Sequence, residues 1–193
     1  MTGVQTCALP IYCRSGYGGY RRGHVHHGAH PLLLHLCCLC GRCYDQIRNG
    51  VCYPHLNVKF GFSHAGVTLG EDGGSHQAIE DLALMRVLPG MTIFVPSDAN
   101  ETYQCVEAAA KIDGPVFIRT ARLPSPIYES RPFEVGKGRV VKDGKDCVIF
   151  TCGIMLEHTL EAVKLLEENG VDAALVCFHT RSEERREIGR AHV

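Results

Sequence analysis

Strand-like and helix-like segments alternate along the chain from Gly41 onward, and this alternation limits the folds that the chain can adopt. Apolar residues recur at helical spacing over residues 76–88, 99–112 and 155–168, which predicts three helices. The β-rich runs between them are VKFGFS (58–63), TIFVP (92–96), PVFIRT (115–120), DCVIFTC (146–152) and DAALVCF (172–178). Strands that alternate with helices form parallel sheets covered by helices. The sequence therefore predicts an α/β fold with a doubly wound parallel sheet.

A proline-rich break divides this α/β sequence in two. RLPSPIYESRP (122–132) contains three prolines, so we predict a first domain at residues 41–122 and a linker at 123–134. In the following FEVGKGRVVKDGKDCVIF (133–150), Lys-Asp-Gly-Lys marks a turn between two strands. Residues 135–180 hold about one strand–helix–strand unit, which cannot bury a full core. We expect a truncated second α/β domain there.

The first 44 residues differ sharply in composition from the rest. All 21 Asp and Glu fall at or after Asp45, whereas residues 1–43 hold six of the eleven Cys. Among the many codon sets compatible with residues 11–40, some, read one nucleotide forward, encode strand-like and helix-like runs that the given string lacks. We hypothesise that residues 1–40 are a frame-slipped or adapter-derived segment and that RSEERREIGRAHV (181–193) is a non-native tail. Sequencing the parental DNA across codons 1–45 tests the first part.

Two other interpretations of the opening segment stay open. A zinc site needs two ligand pairs at fixed spacing, and Cys40-x-x-Cys43 supplies one. An organellar transit peptide would explain arginines without acids, but such peptides are rich in Ser and this stretch is not. The residues concerned are Cys37, Cys38, Cys40, Cys43, His24, His26 and His35 for zinc, and Arg14, Arg21 and Arg22 for a transit peptide.

Charge and hydropathy exclude several classes of partner. The net charge is −1 and the pI is near 6.8, so no basic surplus points to nucleic acid. The longest apolar stretch, LLLHLCCLC (32–40), is too short to span a bilayer. No signal peptide precedes the eleven cysteines, which favours a reducing compartment. We expect a cytoplasmic protein that binds neither nucleic acid nor membrane.

Polar residues follow two of the predicted strands at the edge where parallel sheets bind ligands. His64 follows VKFGFS directly, and Arg119 and Arg122 follow PVFI. The segment between them, GEDGGSH (70–76), has glycines that permit close backbone approach, and its last residues open the next predicted helix. A helix N-terminus favours an anion or a hydroxyl-rich ligand. We expect a small phosphorylated substrate that contacts His64, Asp72, His76 and Arg122.

Each of these residues also has a purely structural interpretation. Asp72-Gly73 could form only a turn, and Ser75 could only cap a helix. His64 could be a satisfied core histidine, and Arg122 a solvated linker charge. Four polar signals at strand and helix ends favour a site, but spacing alone does not name the reaction.

Three segments resemble transketolases, in particular the C-terminal subunit of transketolases that are split over two chains. They are GRCYDQIRNGVCYPHLNVKF (41–60), SHAGVTLGEDGGSHQAIEDLALMRVLPGMTIFVPSDANET (63–102) and GPVFIRTAR (114–122). The second contains G-E-D-G-x-[ST]-H-Q, among the more specific signatures of that family. The resemblance covers residues 41–180, as a thiamine-diphosphate-binding pyrimidine domain and the start of a transketolase C-terminal domain.

The resemblance implies an enzyme of the pentose phosphate pathway that transfers a two-carbon ketol unit between sugar phosphates with thiamine diphosphate. It implies that His64 contacts the sugar near the reacting carbon and that Asp72 reads a neighbouring hydroxyl. It also implies that His76 and Arg122 hold the sugar phosphate, with Arg119 a weaker candidate. The cofactor supplies the chemistry in such enzymes and the protein orients it.

Parts of the family's cofactor site are absent from the sequence as given. The activating Glu of an A-E-x-x-M-like motif, and the aromatics that stack on the cofactor ring, occur only in the shifted frame. There the Glu codon would straddle Arg14 and Ser15, and the aromatics overlap Leu36 and Leu39. The G-D-G motif that holds the diphosphate and Mg²⁺ is missing too. We therefore expect a chain that is inactive alone and needs an N-terminal subunit with the diphosphate domain, in an oligomer whose active site forms at the subunit interface.

Two alternatives remain open. Deoxyxylulose-phosphate synthases look similar, but usually carry His-His where this chain has His76-Gln77. A non-catalytic zinc module built on the Cys/His-rich start is the other, and metal analysis of the purified protein separates it.

Overall fold

The computed structural model describes residues 32–180, which form two compact units. The first contains residues 32–93 and 106–123, and the second contains residues 94–105 and the chain from Pro124 onward. The tail hypothesised to be non-native (181–193) and most of the segment hypothesised to be frame-slipped, with the codons at Arg14 and Ser15, lie outside the described residues. No helix within residues 32–180 has the length and apolar character to cross a membrane.

A four-stranded sheet organises the first unit. Its strands are β1 (Leu32–Leu36), β2 (Lys59–Ser63), β3 (Thr92–Phe94) and β4 (Val116–Arg119), in the order β1-β2-β4-β3. β2 pairs in parallel with both β1 and β4. The predicted mixed α/β fold with a parallel sheet is therefore confirmed. Strand β1 was not predicted, and it lies before Gly41 in the segment that composition sets apart.

Aromatic side chains fill the core beneath this sheet. Phe60, Phe62 and Phe117 are buried, and the Phe62 and Phe117 rings meet edge to face with centroids 5.3 Å apart. Such a contact between neighbouring strands adds to the stabilisation that ring burial provides. Lys59 lies in the same strand and is also buried, with its Nζ donating to the carbonyls of Ile112 and Gly114, each at 2.7 Å.

Two of the three predicted helices form as expected, the third is shortened, and the helical turns over residues 44–52 were not predicted. Helix α1 (Tyr44–Ile47) runs into a π-helical stretch (Arg48–Cys52), and α3 (Ala99–Lys111) lies where a helix was predicted. Helix α2 spans only Asp81–Arg86, although a helix was predicted over residues 76–88. The shortening has a physical reason: Ala78 pairs its backbone with Gly66, so residues up to Ala78 cannot continue a helix.

The second unit contains a three-stranded sheet with one helix packed against it. Its elements are β5 (Arg139–Lys142), β6 (Cys147–Thr151), α4 (Met155–Glu168) and β7 (Ala173–Cys177). Leu156 and Val163 of α4 pack in one buried cluster with Leu175 of β7. The predicted turn does join two strands, but β5 and β6 are not neighbours, because the order is β5-β7-β6. The α4 crossover returns the chain between them, with β7 parallel to β6 and antiparallel to β5.

A buried polar network joins residues 94–105 to the rest of this unit. The Glu101 carboxylate accepts hydrogen bonds from the Ser97 backbone N–H (2.7 Å) and hydroxyl (2.6 Å). The other Glu101 oxygen lies 3.5 Å from Nδ1 of His179. Asp98 accepts the backbone N–H groups of Glu101 and Tyr128, each at 2.7 Å. These bonds satisfy carboxylates that burial would otherwise destabilise.

Candidate functional site

The carboxyl ends of β2 and β4 lie side by side and carry the predicted site residues. Phe62 is the register partner of Arg119, and the Thr120 N–H donates to the Phe62 carbonyl at 2.8 Å. The Ala65 N–H in turn donates to the Thr120 carbonyl at 3.1 Å. This pairing holds the chain that leaves β2 against the chain that leaves β4. His64 and Arg122 therefore extend from the same edge of the sheet, as strand order requires.

His64 occupies a strained backbone conformation at this edge. Its φ is +63°, in the left-handed region that non-glycine residues rarely adopt. Its Nδ1 shares a 2.9 Å hydrogen bond with the Ser63 hydroxyl. Strain at a residue held by its surroundings is typical of functional sites. The observation favours a functional role for His64 over that of a satisfied core histidine, because the side chain is also partly exposed.

A closed loop runs from Gly66 to Ala78 above the sheet edge. Gly66 and Ala78 exchange two backbone hydrogen bonds, of 2.9 and 3.1 Å, which fix the base of the loop. Its tip consists of two 3-10 turns, Gly70–Asp72 and Gly74–His76, and residues 70–77 are exposed. Gly73 joins the turns at φ +69° and ψ −178°, a conformation open essentially to glycine alone. The predicted helix N-terminus at this point is therefore wrong: α2 begins later, at Asp81.

The loop brings Asp72 and Arg122 into direct contact. Nη1 of Arg122 lies 3.2 Å from Oδ2 of Asp72, and the same nitrogen donates to the Leu69 carbonyl. Both side chains are partly exposed, at 37% for Arg122 and 40% for Asp72. Arg122 is thus not simply a solvated linker charge, since the loop engages it.

His76 ends the second 3-10 turn at the tip of the loop. Its Nδ1 shares a 3.0 Å hydrogen bond with the Ser75 hydroxyl, so Ser75 orients a histidine and does not cap a helix. The same arrangement occurs at Ser63 and His64. Each serine therefore engages Nδ1 of its histidine. Within the described part of the chain no hydrogen-bond partner is seen for Nε2 of His64, at the base of the loop, or of His76, at its tip. Sequence reasoning missed the orienting serines, although the repeated Ser-His dipeptide was the available signal.

Arg119 forms an ion pair with the buried carboxylate of Asp81. Its Nε lies 2.6 Å from Oδ2 of Asp81, whose side chain is 1% exposed. The buried Cys37 thiol is near this carboxylate, and its burial, followed by the negative charge of Asp81, raises the pKa of the thiol. This arrangement makes Arg119 a structural partner of α2 and leaves Arg122 as the accessible guanidinium. Asp81 was not predicted, and its signal was an acid within an otherwise apolar helical stretch.

We expect Asp81→Asn to lower the free energy of unfolding by about 3–5 kcal/mol, because Arg119 would keep a largely buried charge without a counter-ion. Urea denaturation measures the change. The matched control is Glu80→Gln, which removes an exposed neighbouring carboxylate and should change stability by less than about 1 kcal/mol. A double variant, Asp81→Leu with Arg119→Met, should recover most of the loss. Equal stabilities for Asp81→Asn and Glu80→Gln would contradict the role given to the pair.

The described residues offer no support for a metal site. Among the residues of 32–180 whose side chains are described, which do not include His35, no group of three or more His, Cys, Asp or Glu could hold an ion. Burial raises the pKa of the Cys40 thiol to about 12 and that of Cys43 to about 11. His24 and His26 of the proposed zinc module lie outside the described residues.

Two known protein domains match the chain in succession. Residues 33–126 match the transketolase pyrimidine-binding domain, and residues 136–181 match the transketolase C-terminal domain. The first match begins within strand β1.

Individual relatives agree with these domain matches. The chain is 42% identical over 140 residues to a protein of Methanocaldococcus jannaschii named as a transketolase C-terminal section, covering 70% of this chain and 44% of that protein. It is 35% identical over 138 residues to 1-deoxy-D-xylulose-5-phosphate synthase of Caldanaerobacter subterraneus subsp. tengcongensis, covering 70% of this chain and 22% of the synthase. The chain thus spans less than half the length of these curated relatives.

A solved structure shares both fold and sequence with the chain. It is described as a split-gene transketolase in an inactive β4 tetramer, and it aligns with a TM-score of 0.77 and 46% identity. The alignment covers 83% of this chain and 52% of that one.

Proposed function

Because the chain belongs to the transketolase family, we propose that the loop between β2 and α2 binds the sugar phosphate in an enzyme that transfers a two-carbon ketol unit. The observation that carries the proposal is the contact between Asp72 and Arg122 above the carboxyl ends of β2 and β4. A guanidinium matches the geometry of a phosphate, and a carboxylate accepts hydrogen bonds from sugar hydroxyls.

We assign roles by position in the loop. Arg122 and His76 bind the phosphate. His76 lies at the exposed tip of the loop, and the Arg122 guanidinium contacts Asp72 of the same tip. Asp72, beside Arg122, binds a hydroxyl of the sugar. His64, at the base of the loop, faces the end of the sugar that reacts. Its strained backbone and its bond to Ser63 support a fixed orientation for the ring.

Enzymes of this family use thiamine diphosphate, but the residues of this chain do not complete a site for it. No Asp or Glu precedes Asp45, so the acid that activates the cofactor is missing from the segment where the family carries it. The sequence also lacks the G-D-G motif. We propose that a partner subunit holds the diphosphate and Mg²⁺, which the names of the C-terminal-section and split-gene relatives support, and that this polypeptide does not turn over alone.

Several further properties belong to the same proposal. The relatives named as a C-terminal section and as a split-gene tetramer support an N-terminal partner subunit and an oligomer. We retain the domain boundaries at residues 41–122 and 135–180, the pentose phosphate pathway and a cytoplasmic location as parts of it.

A second candidate function is that of a 1-deoxyxylulose-5-phosphate synthase, which the 35% identity to such an enzyme supports. Gln77 argues against it, because those enzymes usually carry His at this position. Gln77 is exposed and its amide donates to the Val67 carbonyl at 3.5 Å. Supplying pyruvate or a ketose phosphate as donor to an assembled enzyme separates the two functions.

Binding of ribose 5-phosphate to the isolated chain tests the proposed site. We expect Arg122→Gln to weaken binding by about tenfold or more, because a charged hydrogen bond to the phosphate is lost. Two-dimensional NMR titration measures weak affinities of this kind. Arg131→Gln, which removes an exposed arginine of the second unit, is the control and should leave the affinity unchanged. Wild-type affinity in Arg122→Gln would exclude the site.

A further inference from the structure

The Asp72–Arg122 contact places an internal oxyanion on the guanidinium that the proposed function gives to phosphate. A planar carboxylate and a tetrahedral phosphate both present negatively charged oxygens that a guanidinium binds by charged hydrogen bonds. Nη1 of Arg122 is already engaged by Oδ2 of Asp72 and by the Leu69 carbonyl. A phosphate that binds this nitrogen must therefore displace one of the two protein oxygens from it.

The geometry of the loop makes such a displacement feasible. Its base is fixed by the paired backbones of Gly66 and Ala78, and α2 is fixed by the Asp81–Arg119 ion pair. The tip, in contrast, is exposed over residues 70–77 and its turns are closed by long bonds of 3.2–3.4 Å. The tip can therefore shift while its base stays in place.

An ion pair between partly exposed groups, such as Asp72 and Arg122, is weak. It should therefore lower the affinity of Arg122 for a phosphate without preventing binding. Inorganic phosphate would bind Arg122 and place a second negative charge beside Asp72, and the only hydrogen-bond donor that it could offer this carboxylate is its own P–OH group. A sugar phosphate would bind Arg122 through its phosphate and donate a hydrogen bond to Asp72 from a sugar hydroxyl. Displacing Asp72 from Arg122 therefore favours ligands that carry both a phosphate and a sugar hydroxyl. The selectivity arises from the unfavourable contact between Asp72 and inorganic phosphate.

We propose that Asp72 is an internal competitor that occupies Arg122 in the free protein and selects sugar phosphates over inorganic phosphate. This inference rests on the proposed function, because it assumes that Arg122 is the phosphate ligand. A hydroxyl ligand alone would not exclude inorganic phosphate from Arg122, whereas a competing carboxylate would lower its affinity.

The test is a pair of NMR titrations, one with inorganic phosphate and one with ribose 5-phosphate, on the full chain and three variants. In Asp72→Asn we expect the affinity for inorganic phosphate to rise by about three- to fivefold, and the affinity for ribose 5-phosphate not to rise. The matched control is Glu71→Gln, which removes the same charge from the adjacent exposed residue of the loop. It should raise phosphate affinity by less than about twofold, since that carboxylate lacks the contact with Arg122.

Chemical shifts of Gly73 and Gly74 provide a second readout. In the free Asp72→Asn protein they should already lie near the values that the wild-type protein reaches with phosphate. Equal effects of Asp72→Asn and Glu71→Gln, or unchanged phosphate affinity in Asp72→Asn, would overturn the inference and leave the proposed site intact. Undiminished binding of both ligands by Arg122→Gln would overturn the proposed site and the inference together.

Discussion

Replacing residues 11–40 by the peptide of the shifted reading frame is expected to raise ketol transfer at least about 100-fold over the background of the chain as given. A positioned acid or base typically contributes 10²–10⁴-fold to a rate, and the replacement restores the family's activating Glu near Arg14 and Ser15. The assay combines either chain with the diphosphate-binding subunit of a split transketolase, thiamine diphosphate and Mg²⁺. A ketose phosphate and an aldose phosphate serve as donor and acceptor.

The control is the replaced chain with the restored Glu changed to Gln, which should return the rate to background. Complex formation with the partner subunit is measured by size-exclusion chromatography, so that a failure to assemble is not mistaken for a failure of chemistry. Measurable ketol transfer by the unmodified polypeptide would refute the frame-slip hypothesis and the predicted inactivity together.

Stability should fall steeply above pH 9, because five buried cysteines keep their protons in the folded state. Burial raises the pKa of Cys40, Cys52 and Cys177 from 9.0 to about 12, and it raises the pKa of Cys37 and Cys105 further. A raised folded pKa gives stability that is complete below the unfolded pKa and is lost as the pH rises. Between pH 9 and pH 10 each thiol should cost roughly 1 kcal/mol.

Lys59 acts in the opposite direction. Burial lowers the pKa of its ammonium from 10.5 to about 8, although Asp113 partly opposes the shift. The unfolded state therefore binds more protons between these values, and this group adds stability as the pH rises through that window. It should offset about the contribution of the partly buried Cys43, whose pKa burial raises to about 11, leaving a net loss of roughly 5 kcal/mol from the five buried thiols between pH 9 and pH 10.

Urea denaturation at pH 7, 9 and 10 measures this loss, and total stabilities of about 5–15 kcal/mol make it a large fraction. Cys105→Ala with Cys177→Ala removes two of the thiols and should flatten the alkaline slope by about two-fifths of the thiol contribution, whatever its effect at pH 7. Cys147→Ala, at an exposed position, is the control and should leave the slope unchanged. An alkaline slope that is the same in all three proteins would contradict the assignment to buried thiols.

The sequence predicted most elements of the fold because apolar periodicity reports burial directly. Strands β2, β3, β4, β6 and β7 and helices α3 and α4 all lie within segments predicted from that pattern. Its errors share one cause: residues distant in sequence supply partners that local periodicity does not contain. Gly66 pairs with Ala78 and so shortens the helix predicted over residues 76–88, and β7 separates β5 from β6.

The site divides in the same way between local pattern and long-range contact. Strand ends, the glycine-rich loop and the signature G-E-D-G-x-[ST]-H-Q were enough to select His64, Asp72, His76 and Arg122 as candidates. Chemical type and position relative to a strand end are local properties, and so the sequence by itself determined them. Only the tertiary structure decided that Asp81 takes Arg119 while Asp72 meets Arg122. Those pairings join residues 38 and 50 positions apart, and only the packing of α2 and the loop against β4 sets the distances between their charges.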